Sequence, residues 1–541
     1  MKKTIYYNGT IITIDDNNPT VEAVYVEDGK IVKVGTLSEI EAKKDENTTM
    51  VDLEGKTMLP GFIDPHGHIV AIAQTLMITN LTEANSIKEL KDMLKQSLEK
   101  NPPAKGEWLI GFGYDNTKFE KQQHPTKFDL DEVTKDIPVF ISHTSGHLSV
   151  ANSKALEAFG YVGEDYVVPE GGVVETIEGT KEPNGILEEN ASLDPEKRKC
   201  IPAPSPQTML NCIKKAQELY ASFGITTCQD ASVDESYDKL LNGAAQAGFL
   251  FLDIVGFAVQ PVTMKLLKDE GTPTRKYFNH YKLLGGKTWL DGSPQGKTAW
   301  LTKPYYEAPE GHSADYCGYG TQEDDVVTDY FKTLIDNNIQ VNVHCNGDAA
   351  ADQYIRCYKK ALQLSGNKKD LRPVMVHAQT VREDQLDEMK ELGIIPTFFL
   401  DHIWYWGDYH YESVLGPERA QHISPAKSAL KRGMNYTVHQ DAPVKLPNQI
   451  LAIHNAVNRQ TQSGRVLGED QCLTIMEALK AVTINGAYQY FEENEKGSIT
   501  EGKVADFVIL DKNPLETDKK QLKTINVLQT IKGDKVVFEK Q

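Results

Sequence analysis

Eight short apolar runs, each ending in polar residues, recur along the middle of this chain. Amphipathic stretches with helical spacing lie between several of them, for example residues 206–223 and 323–338. Apolar strands that alternate with helices form a parallel sheet, because helices then cover both of its faces. Eight such units predict an α/β fold, the (β/α)8 TIM barrel. The runs are GFIDPHGH (61–68), GITTCQDAS (224–232), LDIVGFAVQ (252–260), KLLGGKTWLDGS (282–293), IQVNVHCNGD (339–348), PVMVHAQTV (373–381), GIIPTFFLDH (393–402) and NYTVHQDAPV (435–444).

The two ends of the chain have a different pattern. Short alternating runs such as VEAVYVEDGKIVKVG (21–35) and INVLQTIKGDKVVFEKQ (525–541) are broken by Asp-Gly and Gly-Asp pairs. Such pairs between alternating runs indicate β-hairpins. We therefore expect a small β-sandwich domain built from residues 1–58 and 490–541, with the barrel at residues 59–489.

Residues 75–205, between the first and second apolar runs, are far too many for a loop between a strand and a helix. They also contain their own apolar segments, such as GEWLIGFGYDN (106–116) and DIPVFISH (136–143). This length predicts a subdomain inserted after the first barrel strand. Inserted there, it would lie on the carboxyl-terminal side of the barrel and could cover the active site.

The composition excludes several classes of protein. A net charge of −19 argues against nucleic acid and anionic membranes as partners, because no basic patch offsets it. No stretch approaches the roughly 20 apolar residues of a membrane span. The seven cysteines contain no CxxC pair, and their odd number suits a reducing compartment. The first residues have no apolar core of a signal peptide, so a cytoplasmic enzyme is expected.

Residue types that bind metals concentrate where the apolar runs end. His66 and His68 stand at i and i+2, so their side chains can point to one face of a strand. Imidazoles and carboxylates suit zinc and similar divalent ions. The ends of the runs carry His66, His68, Lys287, Asp291, His344, His377 and Asp441.

Each of these residues also has an ordinary structural explanation. A lone His-x-His pair is weak support for a metal site, Asp441 could cap a turn, and Lys287 could form a surface ion pair. Active sites of TIM barrels lie at the carboxyl ends of the strands. Because these residues share that position, a metal site explains them better together than separate structural roles do.

Several motifs, in order, resemble the amidohydrolase superfamily over nearly the whole chain. The likeness is strongest to its YtcJ-like branch, the amidohydrolase-3 family, which includes N-substituted formamide deformylases. The matching stretches are LPGFIDPHGH (59–68), HLSVANSKAL (147–156), NGILEENA (184–191), KTWLDGSPQGKTAWL (287–301), HCNGDAA (344–350), HAQTV (377–381), HQDAPV (439–444), EALKAVTINGA (477–487) and KGSITEGKVADFVILDKNPL (496–515).

The resemblance implies a centre of two divalent ions, expected to be zinc. By this likeness, His66, His68 and Asp441 hold the more buried ion, and His344 and His377 hold the other. It also implies that Lys287, N-carboxylated by CO₂, bridges both ions. Many relatives have Gly-Ser-Asp at the last strand, whereas this chain has His439-Gln440-Asp441.

The function implied is hydrolysis of a C–N bond in a small amide, formamide or N-acyl compound. A metal-bound hydroxide would attack, with Asp441 as general base and then acid. A deaminase or a cyclic-amide hydrolase on the same barrel is the alternative, although such deaminases usually lack the bridging lysine. A non-catalytic scaffold would have lost ligands, and none is lost here. The likeness also implies a homodimer.

Further residues are candidates for the substrate pocket. His143, His147 and His402 could orient substrate, and Asp291 is a rim carboxylate without an assigned role. Residues 401–411, DHIWYWGDYHY, are expected as a loop after the seventh strand. Trp404 and Trp406 in this loop could belong either to a hydrophobic cluster or to an aromatic wall around the substrate.

Overall fold

The computed structural model describes residues 2–144, 148–163, 165–169, 172–193, 198–269, 276–309 and 311–540. The chain divides into two compact units. The larger contains residues 1–70 and 216–541, and the smaller contains residues 71–215.

Eight parallel strands of the larger unit follow one another in chain order across a single sheet. Nearly all of their residues are buried, as continuous apolar runs predict. The chain approaches itself beyond the first and last strands, where the His68 N–H donates to the Ala442 carbonyl at 2.8 Å. This is the TIM-barrel-like α/β fold expected from the eight runs. The strands are β1 (Phe62–Ile63), β2 (Ile225–Val233), β3 (Asp253–Val259), β4 (Tyr281–Trp289), β5 (Gln340–Cys345), β6 (Val374–His377), β7 (Ile395–Phe398) and β8 (Thr437–Val438).

Helices separate these strands in the sequence. Asp234 shows why one of them begins where it does, because its side chain accepts hydrogen bonds from the N–H groups of Ser236 and Tyr237. The helices of this part of the chain are Ile69–Thr75, Pro206–Ser222, Glu235–Gln246, Thr263–Asp269, Asp324–Asp336, Asp348–Ser365, Glu383–Leu392, Asp401–Tyr409, Gly416–Ala420, Ala426–Lys431, Gln449–Asn458, Ile475–Ala481 and Ile484–Gln489, with a π-helical segment at His410–Val414 and a 3₁₀ turn at Glu469–Gln471.

A second eight-stranded sheet of the larger unit takes strands from both ends of the chain. Thr57–Pro60 pairs antiparallel with Phe507–Leu510, which joins the two ends. A separate β-sandwich domain with limits at residues 58 and 490 stays a prediction. The strands are Lys3–Ile12, Thr20–Glu27, Lys30–Gly35, Thr48–Asp52, Thr57–Pro60, Phe507–Leu510, Val527–Lys532 and Lys535–Glu539, with helix Leu37–Glu41 and the 3₁₀ segment Lys519–Thr524.

Buried charges lie at the amino ends of β3 and β4. Asp253, the first residue of β3, forms ion pairs with Lys496 and with Lys532. Lys532, the last residue of a strand in the second sheet, also contacts Asp506 at 2.7 Å. These contacts connect the barrel-like sheet to the second sheet. The charge network consists of Asp253, Lys282, Glu492, Lys496, Asp506 and Lys532.

The smaller unit has a six-stranded sheet and its own apolar core, which includes Leu90, Leu94 and Ile141. The predicted insert, residues 75–205, falls within the limits of this unit. Its strands are Ile78–Asn80, Leu109–Tyr114, Val139–His143, Leu148–Ala151, Gly172–Thr176 and Pro183–Glu189, and its helices are Ile87–Lys100, Lys127–Asp131, Ser153–Phe159 and Asn190–Leu193, with a 3₁₀ turn at Asn116–Lys118.

Candidate metal centre

The side chains predicted as metal ligands all lie near the carboxyl ends of the barrel-like strands. Carboxyl ends of neighbouring parallel strands meet at one rim of the sheet, so the fold brings these residues towards one place. They are His66 and His68 after β1, Lys287 in β4, His344 in β5, His377 at the end of β6 and Asp441 after β8.

Asp441 is the common neighbour of three predicted ligands. Its Oδ1 lies 3.4 Å from Nε2 of His66 and 3.2 Å from Nε2 of His68. Its Oδ2 lies 4.0 Å from Nε2 of His377. One ligand-type atom from each of His66, His377 and Asp441 lies within 4.8 Å of the others. Ligand atoms about 2.0–2.2 Å from a tetrahedral ion are themselves about 3.3–3.6 Å apart, so this spacing suits a divalent cation.

His344 and His377 form a second pair. Nδ1 of His344 lies 3.1 Å from Nε2 of His377. Nε2 of His344 lies 3.0 Å from the Gly292 carbonyl, which can only accept a hydrogen bond. With the hydrogen on Nε2, as the Gly292 carbonyl favours, the lone pair on Nδ1 is directed towards His377; Nδ2 of Asn346, 3.1 Å from Nε2, favours the other tautomer.

The orientation of His66 is set by Gln229 of β2. Nδ1 of His66 lies 2.8 Å from Oε1 of Gln229. Nε2 of Gln229 donates to the Pro65 carbonyl at 3.0 Å and to the Tyr490 hydroxyl at 3.1 Å, which fixes the direction of the amide. Since Oε1 accepts from Nδ1, the lone pair of His66 is on Nε2, the nitrogen that faces Asp441. Buried partners of this kind orient metal-binding histidines.

Burial determines the protonation of this cluster. Burial, together with the nearby charge of Lys287, lowers the pKa of His66 to about 3 and that of His344 to about 4. Burial alone would raise the pKa of Asp441; hydrogen bonds from the rings of His66 and His68 hold it well below its usual value when those rings carry a proton that faces it. Neutral imidazoles beside an ionised carboxylate are the forms that bind metal ions.

Lys287 is 1% exposed. In the part of the chain that is described, no carboxylate lies within ion-pair distance of its Nζ. Burial lowers the pKa of this amine to about 7, against the opposing effect of Asp441. A neutral amine is therefore accessible near neutral pH, which is the form that reacts with CO₂.

Two predicted ligands have left-handed backbone conformations. The φ angle is 72° at His377 and 55° at Asp441. Residues with a Cβ rarely adopt such angles, and each costs about 1–3 kcal/mol. Strain of this size is typical of functional sites, where the position of a side chain matters more than local stability.

The cluster also contains buried polar atoms that lack a hydrogen bond within the described residues. They include Oδ1 of Asp441, Nδ1 of His377 and both ring nitrogens of His439. An unsatisfied buried polar atom costs about 1–3 kcal/mol, and native proteins contain few of them. Several in one place, beside correctly spaced lone pairs, fit a site that is completed by bound cations.

Asp291 has structural partners. Its carboxylate accepts hydrogen bonds from the backbone N–H groups of Asn346 at 2.9 Å, Gly347 at 2.6 Å and Trp300 at 3.0 Å. These donors tie the segment after β4 to the segment that follows His344. They account for this buried carboxylate without a substrate.

The segment DHIWYWGDYHY, predicted as a loop, is helical: residues Asp401–Tyr409 form an α-helix and His410–Val414 a π-helical turn. The loop prediction was wrong, because the aromatic side chains of this segment conceal its helical spacing. In the helix, His402 and Trp406 are one turn apart, with ring centroids separated by 5.3 Å. The ring of His402 lies 4.1 Å from that of Phe399 and 6.3 Å from that of His377, between centroids.

The other pocket candidates have different surroundings. Trp404 contacts Lys523, whose Nζ lies 5.0 Å from its ring. His143 belongs to the smaller unit, where its ring lies 5.2 Å from that of Tyr114. His147 lies outside the described residues. Contact of any of these residues with a substrate stays a prediction.

Sequence reasoning missed Gln229 and assigned no chemistry to His439. Gln229 lies in the polar tail of the second apolar run, and an amide side chain does not indicate a metal site as a histidine or an aspartate does. His439 precedes Asp441 by two residues, the spacing that also separates His66 from His68. This spacing, which places two side chains on one face of a strand, is the sequence signal that indicates His439.

No helix in the described ranges is both long enough and apolar enough to cross a membrane.

Comparison with known proteins gives one family over nearly the whole chain. The model of the amidohydrolase family matches residues 49–538. The Bacillus subtilis protein YtcJ is 27% identical over 556 aligned residues, which cover 99% of this chain and 100% of that protein. The N-substituted formamide deformylase of Arthrobacter pascens is 26% identical over 550 residues, covering 98% of this chain and 97% of the deformylase.

A solved structure is also similar over nearly the whole of both chains. The crystal structure of a metal-dependent hydrolase from Pyrococcus horikoshii OT3 is similar with a TM-score of 0.73 and 26% sequence identity. The match covers 96% of this chain and 99% of that one.

Proposed function

The chain belongs to the amidohydrolase family and is an enzyme of C–N bonds other than peptide bonds, and from this premise we propose that it hydrolyses a small formamide, amide or N-acyl compound at the rim of the barrel-like sheet. The observation that carries the proposal is the cluster of His66, His377 and Asp441. Its ligand-type atoms lie within 4.8 Å of one another, and some of them lack a hydrogen bond to any described residue.

The residues present suit a centre of two divalent ions, most simply zinc. His66, His68 and Asp441 would hold one ion, and the lone pairs of the His344–His377 pair would face the other. When bound, such ions polarise a carbonyl oxygen and lower the pKa of water. The nitrogen lone pairs are directed by Gln229 and by the Gly292 carbonyl.

Lys287 would supply an anionic bridge after carboxylation. Its neutral Nζ attacks the carbon of CO₂, an N–C bond forms, and the nitrogen releases one proton. The product is a carbamate with two oxygen donors. Burial of Lys287 supports this step, because an amine without a carboxylate partner resists protonation in an apolar site.

Asp441 would move the proton during hydrolysis. Its low pKa keeps the carboxylate ionised at neutral pH, so it can accept a proton from the attacking water. As the C–N bond breaks, Asp441 delivers that proton to the leaving nitrogen. The net reaction adds one water across the bond and returns Asp441 to its ionised form.

Exposure indicates the side from which substrate arrives. The side chains of His68 and His344 are 22% and 19% exposed, whereas His66 is 1% exposed. Phe399, His402 and Trp406 add aromatic surface near His377. The Arthrobacter relative is an N-substituted formamide deformylase, so we place formamides with an apolar substituent first among the candidate substrates.

The test is a hydrolysis assay of the metal-loaded protein on N-substituted formamides, N-acyl amino acids and cyclic amides. We expect release of formate or another acid from at least one class. His66→Asn should lose both metal and turnover, whereas His312→Asn, at an exposed histidine, should retain them. Full turnover by the metal-free protein would overturn the proposal.

A further inference from the structure

His439 is the most completely buried histidine beside the candidate centre, at 0% exposure. It follows β8 directly, and its N–H donates to the Phe398 carbonyl of β7 at 3.1 Å. The fold therefore fixes its backbone between two strands, with little freedom to turn the side chain towards solvent. Nothing in the mechanism above uses this residue.

Both ring nitrogens of His439 are buried and make no hydrogen bond within the described residues. Two other imidazoles of the cluster differ from it, since His66 is anchored by Gln229 and His344 lies within hydrogen-bond distance of the Gly292 carbonyl. A neutral imidazole has one N–H donor and one lone pair. Leaving both without a partner in a closed interior is costly, so the ring is placed for a group that the chain does not supply.

The position of the ring agrees with that of a ligand. Its centroid lies 5.0 Å from that of His66 and 5.1 Å from that of His377. The predicted ligands themselves have similar separations, with 5.4 Å between His66 and His68 and 5.7 Å between His66 and His377. Imidazoles that share one ion at about 2.1 Å have centroids roughly 5 Å apart.

We propose that His439 contributes a further imidazole nitrogen to the ion that His66, His68 and Asp441 would hold. The inference rests on the proposed metal centre and goes beyond it, because it adds a ligand that the proposed function does not assign. A purely structural role is the competing explanation. Phe399, whose ring centroid is 5.2 Å away, could pack against His439 whatever its nitrogens do.

Two variants separate these explanations. His439→Phe keeps an aromatic ring against Phe399 but removes both nitrogens. His439→Asn keeps a polar side chain of smaller volume and serves if the phenylalanine does not fold. His410→Asn is the matched control, because His410 is another fully buried histidine, with a ring nitrogen 3.2 Å from Gln379 and no predicted ligand role.

The readouts are the affinity for Co²⁺ or Zn²⁺, measured by chelator competition, and the number of imidazole ligands from X-ray absorption of the bound metal. We expect either His439 variant to lose at least about 10-fold in affinity for one ion and to lower the imidazole count, with His410→Asn unchanged. Wild-type affinity and spectrum in a folded His439 variant would overturn the ligand role alone. A wild-type protein that binds no metal would overturn the proposed function as well.

Discussion

The two ends of the barrel-like sheet bury polar groups in opposite ways. At the amino ends, the charge network pairs each buried lysine with a carboxylate, as in the contact of Lys532 with Asp506 at 2.7 Å. At the carboxyl ends, His377, His439 and Asp441 retain buried atoms without a hydrogen bond to the described residues. In the first cluster every buried charge has an opposite charge within ion-pair distance; even Oε2 of Glu492, which lacks a hydrogen bond, lies 3.1 Å from Nζ of Lys496. In the second, neither ring nitrogen of His439 has a hydrogen bond to the described residues.

This difference separates a structural cluster from a functional one. Buried ion pairs that satisfy one another need no ligand, although they contribute little net stability. Buried groups with unmet hydrogen-bonding capacity and shifted pKa values mark a site for something else. The histidines alone would not show this, because buried histidines are common; their missing partners do.

Two lysines of strand β4 show the same difference within a single strand. Lys282, near its amino end, is buried and paired with Glu492. Lys287, five residues later, is equally buried, yet no described carboxylate lies within ion-pair distance. One lysine has a charged partner within the fold, and the other has none among the described residues, which suits the role proposed for it.

The largest expected effect comes from Asp441→Asn. The substitution keeps the shape of the side chain but removes the charge that faces His66 and His68. We expect kcat to fall by about 100- to 10,000-fold, because the proposed proton acceptor and a proposed metal ligand are lost together. Steady-state kinetics with parallel metal analysis measures it, and wild-type kcat in a variant that retains its metal would contradict the role of Asp441.

The two lysines of β4 should respond in opposite ways to methionine. Lys287→Met should lose at least one metal ion and most activity, while the metal-free protein keeps its stability. Lys282→Met should keep metal and activity but lose about 3 kcal/mol of unfolding free energy, because Glu492 loses one of its partners. Chemical denaturation and metal analysis of both variants test this prediction. If both variants lost the same amount of metal and of stability, the contrast between the two ends of the sheet would be wrong.

Gln229→Leu should have a smaller effect on metal binding than the changes at Asp441 and Lys287. Without the acceptor that holds Nδ1 of His66, metal affinity should fall by about 10- to 100-fold. Gln340→Leu is the matched control at the amino end of β5, since its buried amide donates to the Arg372 and Gln489 carbonyls. Both variants should lose stability, but only Gln229→Leu should weaken metal binding; similar affinities would contradict the orienting role.

Much of this fold could be predicted from sequence, because buried parallel strands leave apolar runs that end in polar residues. Each of the eight runs overlaps one strand of the sheet, with β2 and β4 each extending one residue past its run, and the predicted ligands lie near the strand ends. The helix at Asp401–Tyr409 could not be predicted so easily, because its aromatic residues conceal helical spacing.

Contacts between residues that are far apart in the chain could not be predicted from the sequence either. Gln229 and His66 are separated by 163 positions, and no local pattern links an amide to an imidazole at that distance. The missing hydrogen bonds of His439 are likewise visible only when its neighbours are known.

The smallest expected effect is on the pH dependence of stability. His66 and His344 have folded pKa values of about 3 and about 4, below the unfolded value of about 6.5. As pH falls from about 6.5 towards 4, the unfolded chain binds protons that the folded chain does not. The unfolding free energy of the metal-free protein should therefore fall, by up to about 1.4 kcal/mol per pH unit for each histidine. Urea denaturation between pH 7 and 5 should show a shallower slope for His344→Asn, and an unchanged slope would contradict this effect.

The most direct test of the contrast between the two ends is the metal content of the purified wild-type protein, measured together with its hydrolytic activity before and after chelation. We predict about two divalent ions per chain, loss of activity when they are removed, and recovery when zinc is restored. A protein that stays free of metal when zinc is supplied, or that hydrolyses its substrate equally well after chelation, would contradict the account.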